Sequence, residues 1–119
     1  MRTVALTLVI TIIGWGSVCL GATAPASPSA LNLAQGRTLF RQVCAYCHGT
    51  NGQGGARMGA PRLWGKGNVV QGGAYDTPAS LSRFIQQYMP VEPVNGMNPG
   101  SLTPGEAQDL AGYILSKNP

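Results

Sequence analysis

The sequence predicts a small all-α domain of three to four helices joined by long loops. Three observations predict it. Apolar residues recur at helical spacing in three stretches, two of which open on clear capping signals. Between those stretches lie most of the chain's 17 glycines and four of its 9 prolines, the residues that break regular structure. No stretch alternates apolar and polar residues as a half-buried strand does. The 119 residues suit one domain, and with 44% hydrophobic and 10% charged residues the chain has enough apolar material for a core and too little charge for disorder.

The N-terminus reads as an export signal. Arg2 is the only charge before Arg37, and Val4 to Leu20 is mostly apolar. Small residues follow at Gly21, Ala22, Ala24 and Ala26, so cleavage after Ala26 or after Gly21 fits the order of a signal peptide. A retained anchor is the alternative, but 17 residues reach only about 25 Å as a helix against a hydrocarbon core of roughly 30 Å. Cys19 is preceded by Val18, a poor match to a lipidation site. The expected organisation is a signal over 1–26, a linker over 27–30 rich in Ala, Pro and Ser, and one domain over 31–119. Export implies a periplasmic location, with membrane attachment only if the N-terminal segment is retained. A mature chain of about 93 residues builds a thin core of the kind that is often completed by a disulfide, metal or cofactor.

Leu33 to about Ala45 is expected to be helical, with Asn32 as its cap and Leu39, Phe40 and Val43 on one side. Gly36 costs this helix roughly 1 kcal/mol against alanine and so marks the close approach of another element. Gly49 to Gly73, with nine glycines in 25 residues, is loop. It contains no phosphate-cradling signature and reads as a wrapping segment. A second helix is expected from about Pro78 to Tyr88, capped by Thr77, with Leu81, Phe84, Ile85 and Tyr88 as its apolar stripe. Met89-Pro90 ends it, because a residue before proline is driven out of the α region. Val91 to Gly100 is again loop. Thr103-Pro104-Gly105-Glu106 is a capping box that opens the last helix, whose buried face is Ala107, Leu110, Ala111, Ile114 and Leu115.

Cys44-Ala45-Tyr46-Cys47-His48 is the motif that carries chemistry. On a helical turn residues i and i+3 share a face, so both sulfurs can form thioethers to one edge of a haem. The adjacent His48 then supplies an imidazole to the iron, and the pentapeptide is a recognised c-type haem attachment signal. A thioredoxin-like disulfide expects βαβ patterning, which is lacking. A structural zinc site needs four ligands, and the mature chain offers two cysteines and one histidine. A plain disulfide leaves His48 unexplained. The sixth iron ligand is expected to be a methionine. Met89 is favoured because it stands where an apolar helix stops; Met97 in the following loop stays open, and Met58, ten residues after His48, is the weakest candidate.

The chain resembles the class I cytochrome c family over about Leu33 to Asn118. The resemblance rests on Gly36 to Phe40, on Cys44 to Gly49, on Gly59-Ala60-Pro61-Arg62-Leu63, on Met89-Pro90 and on Leu110 to Ile114. It implies a small cytochrome c fold of three to four helices with long loops around one covalent haem. It implies that the first and last helices cross at Gly36, Phe40 and Tyr113. It also implies that Pro61 offers its carbonyl to His48 Nδ1, and that Met89 is the ligand, since the family's methionine often stands in Met-Pro. Phe84 to Ile114 is weakly similar to small cytochromes that serve sulfur-compound or alcohol dehydrogenases, with a longer loop here from Val91 to Pro99.

The expected function is single-electron transfer in a periplasmic respiratory or dehydrogenase-linked chain. The protein itself is then no enzyme, but an electron carrier or the electron-transfer subunit of one. With His48 and Met89 both bound, iron has no open position; a haem enzyme or a gas- or peroxide-binding protein is the alternative if the second ligand is missing. Without Arg2 the balance is 7 basic to 4 acidic residues. Arg37, Arg41, Arg57, Arg62 and Lys66 surround the motif in sequence and suit an acidic docking face on a dehydrogenase, oxidase or other cytochrome. Nucleic-acid binding is not expected, as there is no dense basic run.

Overall fold

The computed structural model describes residue 21 and residues 30–119. The expected signal over 1–26, with Cys19, and the linker over 27–30 therefore lie, but for Gly21 and Ala30, outside the described residues. Within them the chain is helical, and no helix is long and apolar enough to cross a membrane.

The first helical run is longer than expected and is not uniform. It comprises α1 (Leu33–Leu39), a π turn (Phe40–Cys44) and α2 (Ala45–His48). Asn32 caps it, its side-chain oxygen accepting from Gln35 N at 3.0 Å. The π turn adds a residue to one turn, and each added residue rotates the remainder of the helix by about 100°. Phe40 and Val43 stay in the core, while Cys44, Cys47 and His48 face a cavity beside it. Gly49, at φ 81°, stops the run.

The other helices fall where the sequence places them. In α3 (Pro78–Tyr88), Thr77 Oγ1 accepts from Ser80 N, and Ser80 Oγ accepts from Thr77 N. In α4 (Pro104–Ser116), Glu106 closes the same box, accepting from Thr103 N at 2.8 Å. Of the expected stripe on α3, Leu81 and Ile85 are buried, but Tyr88 is 57% exposed. It instead leans on Phe84, which leans on Tyr75, with ring centroids 5.1 and 4.5 Å apart.

α4 packs against both α1 and α3 and forms the centre of the core. The α1–α4 crossing is close because Gly36 has no side chain: a Cβ there would overlap the Asp109 carbonyl and Tyr113 Cβ. Asp109 also accepts from Asn32 N at 2.8 Å, which ties the start of α1 to the same turn of α4. Phe40 and Tyr113 meet at the crossing with centroids 5.6 Å apart. Trp64, from the glycine-rich loop, completes the cluster at 4.9 Å from Phe40.

That loop wraps the end of α2. Gly54 N donates to His48 O at 2.8 Å, and Arg57 N donates to Cys47 O at 3.2 Å. A Cβ at Gly54 would meet the backbone of Ala60 to Arg62, so the loop folds over itself only through glycine. The later loop contains one isolated bridge, Val94 to Met97, around the Asn95-Gly96 turn. Asn95 Nδ2 donates to Gln42 O and pins that turn to the π segment.

Candidate functional site

The cavity has a volume of about 640 Å³, within the range of roughly 300–1,000 Å³ usual for cofactor sites. Its walls come from several parts of the fold: Val43 from the π turn, Leu63 and Val70 from the wrapping loop, Leu81 and Ile85 from α3, and Leu102 from the approach to α4. All six are buried hydrophobics. Against this apolar background stand a few groups capable of chemistry.

Cys44 and Cys47 are free thiols on successive turns, and both line the cavity. Burial pushes the Cys44 thiol up to about 12; a backbone hydrogen bond lowers it slightly and the neighbouring Cys47 raises it further. Cys44 is therefore neutral at physiological pH, as a low-dielectric wall demands. His48 is 8% exposed and is the only buried polar side chain among the described residues. Its Nδ1 lies 2.8 Å from Pro61 O. A carbonyl can only accept, so Nδ1 carries a proton, which leaves Nε2 as the nitrogen whose lone pair can meet a metal. The imidazole is thus held in the tautomer that binds a metal through Nε2.

The three methionines separate. Met89 leaves α3 in extended conformation, is partly buried, and lines the cavity next to Ile85. Its amide remains tied to the helix, donating to Ile85 O at 2.9 Å. Met58 reaches the same cavity only at its rim and is 64% exposed. Met97 faces a second hollow with Gln35, Gln42 and Glu106, on the other side of Val43. Of the residues singled out in the sequence, Cys44, Cys47, His48, Pro61 and Met89 share one cavity, and Met97 does not.

Other contributors carry no sequence signal of their own. Leu63, Val70 and Leu102 stand in loops without periodicity, and only the finished fold brings them together. Asn118 closes the far side, its amide donating to Leu63 O at 3.0 Å and to Ile114 O at 3.2 Å. The basic residues Arg37, Arg41, Arg57, Arg62 and Lys66 are all exposed. Arg57 alone makes an ion pair among the described residues, with Glu92 at 3.7 Å.

This donor set fits a haem. Two thiols at i and i+3, an imidazole nitrogen with a fixed lone pair, a thioether sulfur and a broad apolar hollow match the means by which proteins attach and ligate one.

Comparison with known proteins points the same way. The family model described as cytochrome c oxidase, cbb3-type, subunit III matches residues 31–114. A thiosulfate dehydrogenase of Stutzerimonas stutzeri (strain A1501) is 30% identical over 95 residues, covering 77% of this chain and 29% of that protein. The chain thus spans under a third of the length of that curated relative. The solved thiosulfate dehydrogenase from Marichromatium purpuratum, in its as-isolated form, superposes with a TM-score of 0.63 at 28% identity, over 78% of this chain and 19% of that one. The sulfane dehydrogenase SoxCD from Paracoccus pantotrophus shares the fold, with a TM-score of 0.55 at 18% identity over 83% of this chain and 59% of that one.

Proposed function

The chain belongs to the cytochrome c family whose model is described as subunit III of cbb3-type cytochrome c oxidase, and it carries a covalent c-type haem; from that premise we propose that it passes single electrons with iron held between His48 and Met89. Cys44 and Cys47 form the thioethers. Pro61 orients His48 through its carbonyl. The domain is residues 31–119, delivered to the periplasm by a signal that ends near Ala26.

The observation that carries this reading is the shared cavity. His48 and Met89 come from different elements and reach one apolar space, while Met97 is turned away from it. Bound there, haem supplies a one-electron iron couple. The chain's own residues do the rest. His48 and Met89 leave no position for a substrate. Leu63, Val70, Leu81 and Ile85 exclude water and so help to tune the potential. The exposed Arg62 and Lys66, on the loop that walls the cavity, can steer an acidic partner. The likeness to two thiosulfate dehydrogenases favours a sulfur-compound dehydrogenase as that partner, with this chain as its electron-transfer subunit or carrier.

The test is a pair of substitutions in the haem-loaded protein. Met89→Ala should abolish the long-wavelength methionine–iron band of the oxidised form and admit CO to the reduced form. Met97→Ala should leave both unchanged. The reverse pattern moves the ligand to Met97, and a parent protein that lacks the band and binds CO readily overturns the closed-iron reading.

A further inference from the structure

After Met89 the chain runs through a loop in which Pro90 and Val94 are buried and Asn95 is pinned to Gln42. Between those anchors the exposed Val91 and the charged Glu92 lie at the surface, and Glu92 is met by one side chain, Arg57, from the wrapping loop.

Arg57 is fixed on three sides. Its amide donates to Cys47 O at 3.2 Å, and its carbonyl accepts from Ala60 N at 2.9 Å. Its guanidinium lies over the ring of Tyr46, with Cζ 4.5 Å from the centroid. Its Nη2 is 3.7 Å from Oε1 of Glu92, three residues beyond Met89. That oxygen is shut off from solvent and has no hydrogen-bond donor. The Glu92 side chain as a whole is 35% exposed, so the pair is partly screened by water, but this oxygen faces inward and Arg57 is the cation that meets it. Tyr46 in turn sits between Cys44 and Cys47.

We infer that Arg57 is a positioning residue: bridging Tyr46 and Glu92, it holds the segment after Met89 against the haem-attachment turn and so keeps Met89 at the cavity. The inference rests on Met89 as the proposed ligand. Its mechanical part, closure of the 91–94 segment, does not. Without Arg57 the Glu92 carboxylate turns outward to water, and the segment that holds Met89 in place moves with it. Stacking on Tyr46 requires a flat cation and the pairing requires only charge, so arginine does both where lysine does one.

The experiment uses the haem-loaded protein with Arg57→Ala, Arg57→Lys, Glu92→Gln and the double variant Arg57→Ala/Glu92→Gln. Amide hydrogen exchange at Val91, Glu92 and Val94, the residues of the 91–94 segment that carry an amide hydrogen, reports closure whatever the iron ligand, and the methionine–iron band with CO binding reports the ligand. Arg57→Ala should speed exchange at 91–94 and CO binding about fivefold, the factor expected of a partly sheltered ion pair. Exchange in α4 should be unaltered, which separates a local clamp from general loss of stability. Arg57→Lys should recover part of the effect. The double variant should be milder than Arg57→Ala, because no uncompensated carboxylate remains. Unchanged exchange at 91–94 in Arg57→Ala would overturn the clamp, and so would an effect of Arg57→Ala that is the same in the Glu92→Gln background as in the parent. If the parent lacks the methionine–iron band while Arg57→Ala still loosens 91–94, the ligand assignment fails and the clamp stands.

Discussion

At Gly36 two helices touch through their backbones, and one missing methyl decides how close they come. A Cβ there would drive into the Asp109 carbonyl, which cannot yield without moving a turn of α4. Gly36→Ala should return about 1 kcal/mol of helix propensity and cost on the order of 3 kcal/mol in overlap. The net loss of about 2 kcal/mol should lower the melting temperature by roughly 10 °C, measured by far-ultraviolet circular dichroism. The need for close approach is legible in the sequence, since a glycine inside an apolar helix requires a reason; that the approaching atom belongs to Asp109 is not. The same division holds across the site. Cys44, Cys47 and His48 can be read because their geometry is local to one turn. Pro61 is reached only through resemblance, since its carbonyl meets His48 across 13 residues of loop. Met89 is favoured over Met97 in the sequence by the helix end and by Met-Pro, and in the fold Met89 lines the cavity while Met97 faces a second hollow across Val43. Arg57, Tyr46 and Glu92 carry no spacing that announces them, because the contact joins two loops and α2.

The helices differ in how much of them is local. The starts of α3 and α4 can be placed to the residue, because threonine, proline and a polar partner three residues on fix both the cap and the first turn. Thr103→Ala removes the acceptor for Glu106 N and should cost about 1 kcal/mol. The loss should appear as faster amide exchange in the first turn of α4, with α3 unaffected. The π turn has no such signal. A pattern with Leu39, Phe40 and Val43 on one side suits a regular helix equally well, and one extra residue in a turn leaves no mark in composition. Its consequence is large all the same: it sets the direction in which Cys44, Cys47 and His48 leave the helix. The wrapping loop is legible as loop from its glycines, but its path is not. That path depends on Gly54 folding over Ala60 to Arg62 and on Trp64 reaching the Phe40–Tyr113 crossing, both of which join residues distant in sequence.

On the scale of the whole molecule the apolar side chains form a wall around a hollow as much as a core. Leu63, Val70, Leu81, Ile85 and Leu102 present one face to α4 and its neighbours and another to the cavity. Burying these apolar walls against a cofactor gains roughly 25 cal/mol for each Å² removed from water, and a chain this small has little other core to draw on. Cys44→Ala with Cys47→Ala should accordingly yield a chain that carries no covalent haem and has lost fixed tertiary structure. It should still show helical far-ultraviolet circular dichroism, because the capping boxes of α3 and α4 and the α1–α4 crossing do not touch the cavity. Its near-ultraviolet signal should vanish and it should bind an apolar dye, as a collapsed chain without fixed packing does. A cooperative melt with near-ultraviolet structure intact in that variant would mean that the walls close on themselves at little cost, and that the haem is cargo rather than core.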